Sequence, residues 1–230
     1  MTYRKITCQS QDTDYFKGWE NVIDRNELSK VISILNVLYK TKEIFPCKDL
    51  VFKAFQECPY STCKVVIIGQ DPYYTPNVAT GIAFANNNKV SSPSLEIIKN
   101  AVVNLEIPHN SYTFDPTLRQ WARQGVLLLN SALTVERNKA LSHTLLWHNF
   151  MIKLLTNLSK VNAIGVYILL GKTAWDLERY IKNSYILKDN HPSYYARTNT
   201  NMSDRVFRKA SDIVYKLYEE KITWFNKLKF

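Results

Sequence analysis

Residues 64–84 read KVVIIGQDPYYTPNVATGIAF, and the opening of that stretch decides the fold class. The run Val65, Val66, Ile67, Ile68 is β-branched throughout, the pattern of a strand buried on both faces rather than of a helix. Gly69 stops it, and Gln70, Asp71, Pro72, Tyr73 and Tyr74 follow at once. Gln70 and Asp71 therefore fall at the carboxyl end of a buried strand, where open α/β sheets bind their ligands. Pro72 fixes its own φ and disfavours α geometry at Asp71, so the carboxylate is held on a stiff turn. Asp and Pro are also common in ordinary βα turns, and this stretch alone leaves both readings open.

The same grammar recurs outward from that strand. Residues 126–129 (VLLL) end at Asn130, and residues 166–170 (VYILL) end at Gly171, Lys172 and Thr173. Residues 184–187 (SYIL) lead towards Asn190, His191, Pro192 and Ser193. Between them lie helical patterns. Leu28, Ile32, Leu35 and Leu38 keep helical spacing, Leu50, Phe52 and Phe55 mark a short helix before Pro59, and another contains Trp121. Further helices are expected near residues 95–105, 145–159, 174–182 and 205–219. Ser94 stands at the start of the first of these, either as its cap or as part of an anion site. Residues 1–30 are polar and mixed, which predicts a helix or two packed outside the core, anchored by Trp19.

Strands alternating with helices predict an α/β fold of three layers, a central four-stranded parallel sheet flanked by helices. One parallel sheet puts every strand end on one rim. Gln70 and Asp71, Asn130, Gly171 and Lys172, and His191 then meet in a single cleft. Singly each is a common loop residue; together they are a site.

Composition bounds the rest. The chain has 230 residues, 46% hydrophobic and 22% charged, with 6 Gly and 8 Pro and no linker or repeat, which suits a single domain over residues 1–230. Lys and Arg outnumber Asp and Glu by 30 to 20, and the net charge of +10 favours a polyanionic partner, nucleic acid or an anionic membrane surface. No apolar run reaches the ~18 residues of a membrane span, and the first residues lack the apolar core of a signal peptide. The expectation is a soluble intracellular protein, cytoplasmic or nuclear. Cys8, Cys47, Cys58 and Cys63 form no CxxC pair and match no familiar metal spacing, so they read as reduced structural thiols.

Residues 65–84, residues 127–135 (LLLNSALTV), Ser142-His143 and His191-Pro192-Ser193 together resemble a family 1 uracil-DNA glycosylase, as a divergent member. Residues 45–55 and 121–125 fit as well, so the likeness spans nearly the whole chain. It implies a monofunctional hydrolase that cuts the bond between deoxyribose and a flipped-out uracil and leaves an abasic site, the first step of base excision repair. It implies DNA as partner, a monomer, no cofactor, no metal and no membrane. Carried over residue by residue, Asp71 holds the attacking water beside the cation-like sugar, and a neutral His191 hydrogen-bonds the departing uracil oxygen. Asn130 reads the base edge, Phe84 stacks on it, Tyr73 stands against C5, and Gln70 completes the uracil pocket. Ser94, the Gly171 backbone and Ser193 match the phosphate-contacting loops, with Lys172 and Arg197 adding sequence-independent affinity.

The chain departs from the family pattern at Tyr74, where His is usual, at Lys172, where a small hydroxyl is common, and at Tyr194-Tyr195, where Pro-Leu is usual. Tyr195 takes the position of the wedge that fills the vacated base stack; the alternative is that both tyrosines pack on their own loop. Two other classes of function stay open at this level. One is a non-enzymatic DNA-binding or replication component of the same fold. The other is a glycosylase for other deaminated bases.

Overall fold

A computed structural model describes residues 15–87, 92–103, 112–161 and 164–227. In chain order the elements are α1 (Arg25–Thr41), β1 (Ile44–Phe45), α2 (Lys53–Glu57), β2 (Val65–Gly69), α3 (Pro93–Val103), β3 (Tyr112–Thr113), α4 (Arg119–Arg123) and β4 (Val126–Asn130). Then follow β5 (Val135–Glu136), α5 (Thr144–Lys160), β6 (Val166–Leu170), α6 (Lys172–Trp175), β7 (Tyr185–Asp189), α7 (Pro192–Thr198), α8 (Arg205–Tyr218) and β8 (Asn226–Lys227).

The central sheet has four parallel strands in the order β4-β2-β6-β7. The expected architecture is present, with β2 next to the sheet's centre and the chain passing from β4 on one side of it to β6 on the other. That reversal opens a crevice at the carboxyl ends, which is where such sheets bind ligands. Every residue of β2, β4 and β6 is buried, while the edge strand β7 is half-exposed.

Alternation along the strands feeds two cores. Val66, Ile68, Leu127, Leu129, Tyr167 and Leu169 face α1 and α5 through Leu28, Leu35, Phe150, Leu154 and Leu158. Val65, Ile67, Val126, Leu128, Val166 and Ile168 face α3 and α8 through Leu95, Ile98, Val206, Phe207 and Val214. Full burial of each such side chain contributes about 1.5–3 kcal/mol, so the three layers hold by area rather than by any single contact.

Some expectations hold and others need correcting. Trp19 is the anchor expected for the N-terminal segment: it is fully buried, and its indole N–H donates to the Cys58 carbonyl at 2.7 Å. Residues 1–14 of that segment, with Cys8, lie outside the described residues, as do residues 104 and 105 of the third expected helix. Cys47, Cys58 and Cys63 are free thiols, the last two buried. The helix expected over 174–182 is instead α6 and a separate 3-10 turn, Glu178–Tyr180. Trp175 interrupts it by turning its indole N–H into the sheet, 3.1 Å from both the Leu169 and Asp189 carbonyls. The fourth strand sits one to two residues later than its apolar pattern suggests, because β7 pairs with β6 as far as Asp189. No helix among the described residues is long and apolar enough to cross a membrane.

Candidate active site

The rim at the ends of β2 and β4 carries a cleft of about 570 Å³. Gln70, Asp71, Tyr73, Tyr74, Phe84, Ser94, Asn130, His191, Ser193 and Arg197 all line it. The strand ends are knitted together first. The Gln70 carbonyl accepts the Ser131 hydroxyl at 2.6 Å and the Ala132 N–H at 3.1 Å, so the turn after β2 cannot move without β4.

Asp71 leaves that turn half-buried. One carboxylate oxygen accepts the Leu141 N–H at 2.6 Å and the other the Gln70 side-chain amide at 3.0 Å. Burial pushes its carboxyl above the usual range, and these two donors partly oppose the shift. Leu141 reaches the carboxylate from a loop in which its own φ is +65°. Nothing local in the sequence signals that contact, since the partners stand 70 residues apart.

His191 is the cap of α7. Its Nδ1 accepts the Ser193 backbone N–H at 3.2 Å and lies 2.8 Å from the Ser193 hydroxyl. An Nδ1 that accepts an amide proton carries none of its own, so the neutral ring is protonated at Nε2. Burial, helped by Arg197, holds the imidazole down to about 4. The ring centroid lies 5.6 Å from that of Phe84. Gly171 explains how His191 comes so close to β6: with φ +90°, a Cβ there would meet the His191 Cβ at 2.7 Å.

Gly69 shapes the floor. A Cβ on it would stand 2.6 Å from the Phe84 ring and 2.7 Å from Asn130 Oδ1, so both side chains occupy the room a side chain would have taken. Phe84 itself has φ +65°, which a bulky residue rarely adopts. The Tyr73 hydroxyl donates to its carbonyl at 2.8 Å. Gly69, Ser92 and the Leu141 N–H are the components that sequence reasoning missed.

The residues expected to face DNA divide. Ser94, Ser193 and Arg197 line the cleft, whereas Gly171, Lys172 and Tyr195 do not. The Gly171 N–H is already given to the Asp189 carbonyl at 2.9 Å, and Lys172 is exposed just beyond it. Ser94 does not cap α3. Ser92 does, its Oγ accepting the Leu95 N–H at 3.3 Å with Pro93 in the first helical position. Tyr195 is turned inward: its hydroxyl donates to the Asp189 carboxylate and its ring packs on the α3/α8 core. Tyr194 is the exposed one of the pair, at 44%.

A family model described as the uracil DNA glycosylase superfamily matches residues 55–214. The chain belongs to that superfamily. Among curated relatives, a uracil-DNA glycosylase of Mycoplasmopsis pulmonis is 34% identical over 215 residues, covering 90% of this chain and 96% of its own. One from Campylobacter jejuni is 38% identical over 196 residues, 83% of each chain. The crystal structure of mimivirus uracil-DNA glycosylase superposes with a TM-score of 0.71 at 23% identity, covering 97% of this chain and 95% of that one. That likeness concerns the fold, and the shared α/β sheet flanked by helices is what it shows. Of the strand-end residues, Gln70, Asp71, Asn130 and His191 share the one cleft.

Proposed function

We propose that this protein is a monofunctional uracil-DNA glycosylase: it adds water across the N-glycosidic bond of deoxyuridine in DNA and releases uracil, leaving an abasic site. The observation that carries the reading is the state of His191, a half-buried neutral imidazole whose Nε2–H lies in the same cleft as the Asp71 carboxylate. Breaking the bond from C1′ to N1 sends the electron pair to uracil and leaves the sugar cation-like. His191 donates a hydrogen bond where the base gathers charge, without having to lose a proton. Asp71 stabilises the sugar and takes up the proton of the water that attacks C1′. Each group acts by position, since both are held by backbone N–H donors.

Asn130 and Gln70 recognise the edge of the base, and Phe84 stacks on its face, as flipped bases are held. The Asn130 amide accepts from uracil N3–H and donates to O4, a pattern that cytosine reverses. Tyr73 closes the pocket beside C5. Ser94, Ser193 and Arg197 take the phosphates, and Lys172 adds charge at the margin.

The test is incubation with a uracil-containing oligonucleotide in chelator, followed by alkaline cleavage at abasic sites. Asp71→Asn and His191→Ala should each slow base release at least about 10²-fold, as for loss of a preorganised electrostatic contact. Near-normal turnover in both variants would remove the assignment.

A further inference from the structure

Ser92 touches no reacting atom, yet it is only 5% exposed and its hydroxyl is fully committed at the edge of the base pocket. Its Oγ accepts the Leu95 N–H at 3.3 Å and lies 2.6 Å from the Tyr73 hydroxyl. The direction of the second bond follows by elimination. Tyr73 has one hydroxyl proton and gives it to the Phe84 carbonyl at 2.8 Å. Ser92 must therefore donate to the phenol oxygen.

The result is a directed chain from the Leu95 N–H to Ser92, from Ser92 to Tyr73, and from Tyr73 to the Phe84 carbonyl. Bonds in series polarise one another, and each hydroxyl here is a donor once and an acceptor once. Burial pushes the Tyr73 hydroxyl up to about 12, so the proton in that chain stays in place at neutral pH. At the far end Phe84 is held in its positive-φ conformation, and at the near end sits the first turn of the 11-residue helix α3.

We infer that Ser92 is a positioning residue for the choice of uracil over thymine, pinning the Tyr73 ring to α3 so that the ring forms a rigid wall. The inference rests on the reading above, in which that ring stands beside C5 of the base. A pocket that merely fits a methyl group less well discriminates by about 10- to 200-fold, because soft side chains move aside. A ring held at its Cα and again at its hydroxyl by two partners cannot tilt away. Removing Ser92 leaves the phenol with its Phe84 bond alone and frees the edge that faces α3.

The experiment compares single-turnover excision from single-stranded oligonucleotides carrying uracil or thymine, alongside thermal melts, for Ser92→Ala, Ser92→Thr, Tyr73→Phe and Tyr73→Ala. Ser92→Ala should lower the uracil-to-thymine ratio by about tenfold or more, on the scale of a methyl's discrimination. Ser92→Thr, which keeps the hydroxyl, should restore it. Tyr73→Phe should match Ser92→Ala, and the double variant should be no worse than either. A lower melting temperature with an unchanged ratio in Ser92→Ala would reduce Ser92 to a helix cap and overturn the inference. If Ser92→Ala fails to fold, an unchanged ratio in Tyr73→Phe overturns it equally. Tyr73→Ala separates the two levels. Refusal of thymine by that variant sinks the wall itself, whereas thymine excision by it but not by Ser92→Ala sinks only the role of Ser92.

Discussion

At the scale of single residues the cleft is defined as much by absent atoms as by present ones. Gly69→Ala would drive a methyl group to within 2.6 Å of the Phe84 ring and 2.7 Å of Asn130 Oδ1. Both side chains must then retreat, and a displacement of about 1 Å costs on the order of 10²-fold in rate. We expect kcat/KM for uracil excision to fall by about that much while the melting curve stays cooperative. A variant with unimpaired excision would mean that Phe84 and Asn130 need no fixed places. Asp71 makes a prediction about stability. Burial raises its carboxyl in the folded protein above the value of about 3.9 it has when unfolded. The folded state therefore favours the protonated acid, and its contribution is present below about pH 3.9 and is lost as pH rises through the raised value. Asp71→Asn, neutral at every pH, should melt higher than the parent at pH 7–8, with the gain shrinking towards pH 4. Thermal melts across that range decide it, and a lower melting point at neutral pH would show that the charge anchors the Leu141 loop.

At the scale of elements, α7 turns its two tyrosines in different directions. The helix begins at His191, its cap, with Pro192 in the first position and buried. Its packing on α3 brings Ser94 and Ser193 to the same cleft. On this helix Tyr195 faces inward to Asp189 and Tyr194 faces out. A ring already bonded to a carboxylate and packed on the core is not free to enter a base stack, so the wedge expected at Tyr195 is to be tested at its exposed neighbour. Tyr195→Phe should cost about 1 kcal/mol of stability through the lost hydrogen bond and affect duplex and single-stranded substrates alike. Tyr194→Ala should impair excision from duplex DNA more than from single strands, since stacking on a nucleobase is worth about 1–3 kcal/mol. Paired kinetics on the two substrates test both. A duplex-specific defect in Tyr195→Phe would reverse the assignment.

At the scale of the whole molecule the net charge of +10 sets how DNA is held. Each phosphate neutralised releases counterions, so log affinity falls linearly with log salt, by about 0.9 per contact on duplex and about 0.7 on a single strand. Anisotropy titrations with the Asp71→Asn protein, whose slowed base release spares the substrate during a short measurement, should show this slope between about 50 and 200 mM salt. Arg197→Ala should reduce it by about one on a duplex, with little change in base preference. An unchanged slope would move Arg197 off the phosphate path and leave its effect to the electrostatics of His191.

The sequence by itself determined the three-layer sheet and the rim on which the site stands. Strands buried on both faces are continuous β-branched and apolar runs, a local signal, and parallel pairing then forces Gln70, Asp71, Asn130 and His191 to one side. Even the neutral state of His191 has a local half, because its acceptor bond comes from Ser193 two residues on. Tertiary structure alone decided the rest. The Leu141 N–H that holds Asp71 is 70 residues away, and the hydroxyl of Ser131 that locks the Gln70 carbonyl is 61 away. Gly69 reads in the sequence as a strand stop, and only the folded chain brings Phe84 and Asn130 into the space its missing Cβ leaves. Ser92 and Ser94 are equally good caps by type, and Tyr194 and Tyr195 equally good wedges. Which of each pair serves depends on the direction a side chain takes relative to partners far along the chain, a direction that local spacing does not encode.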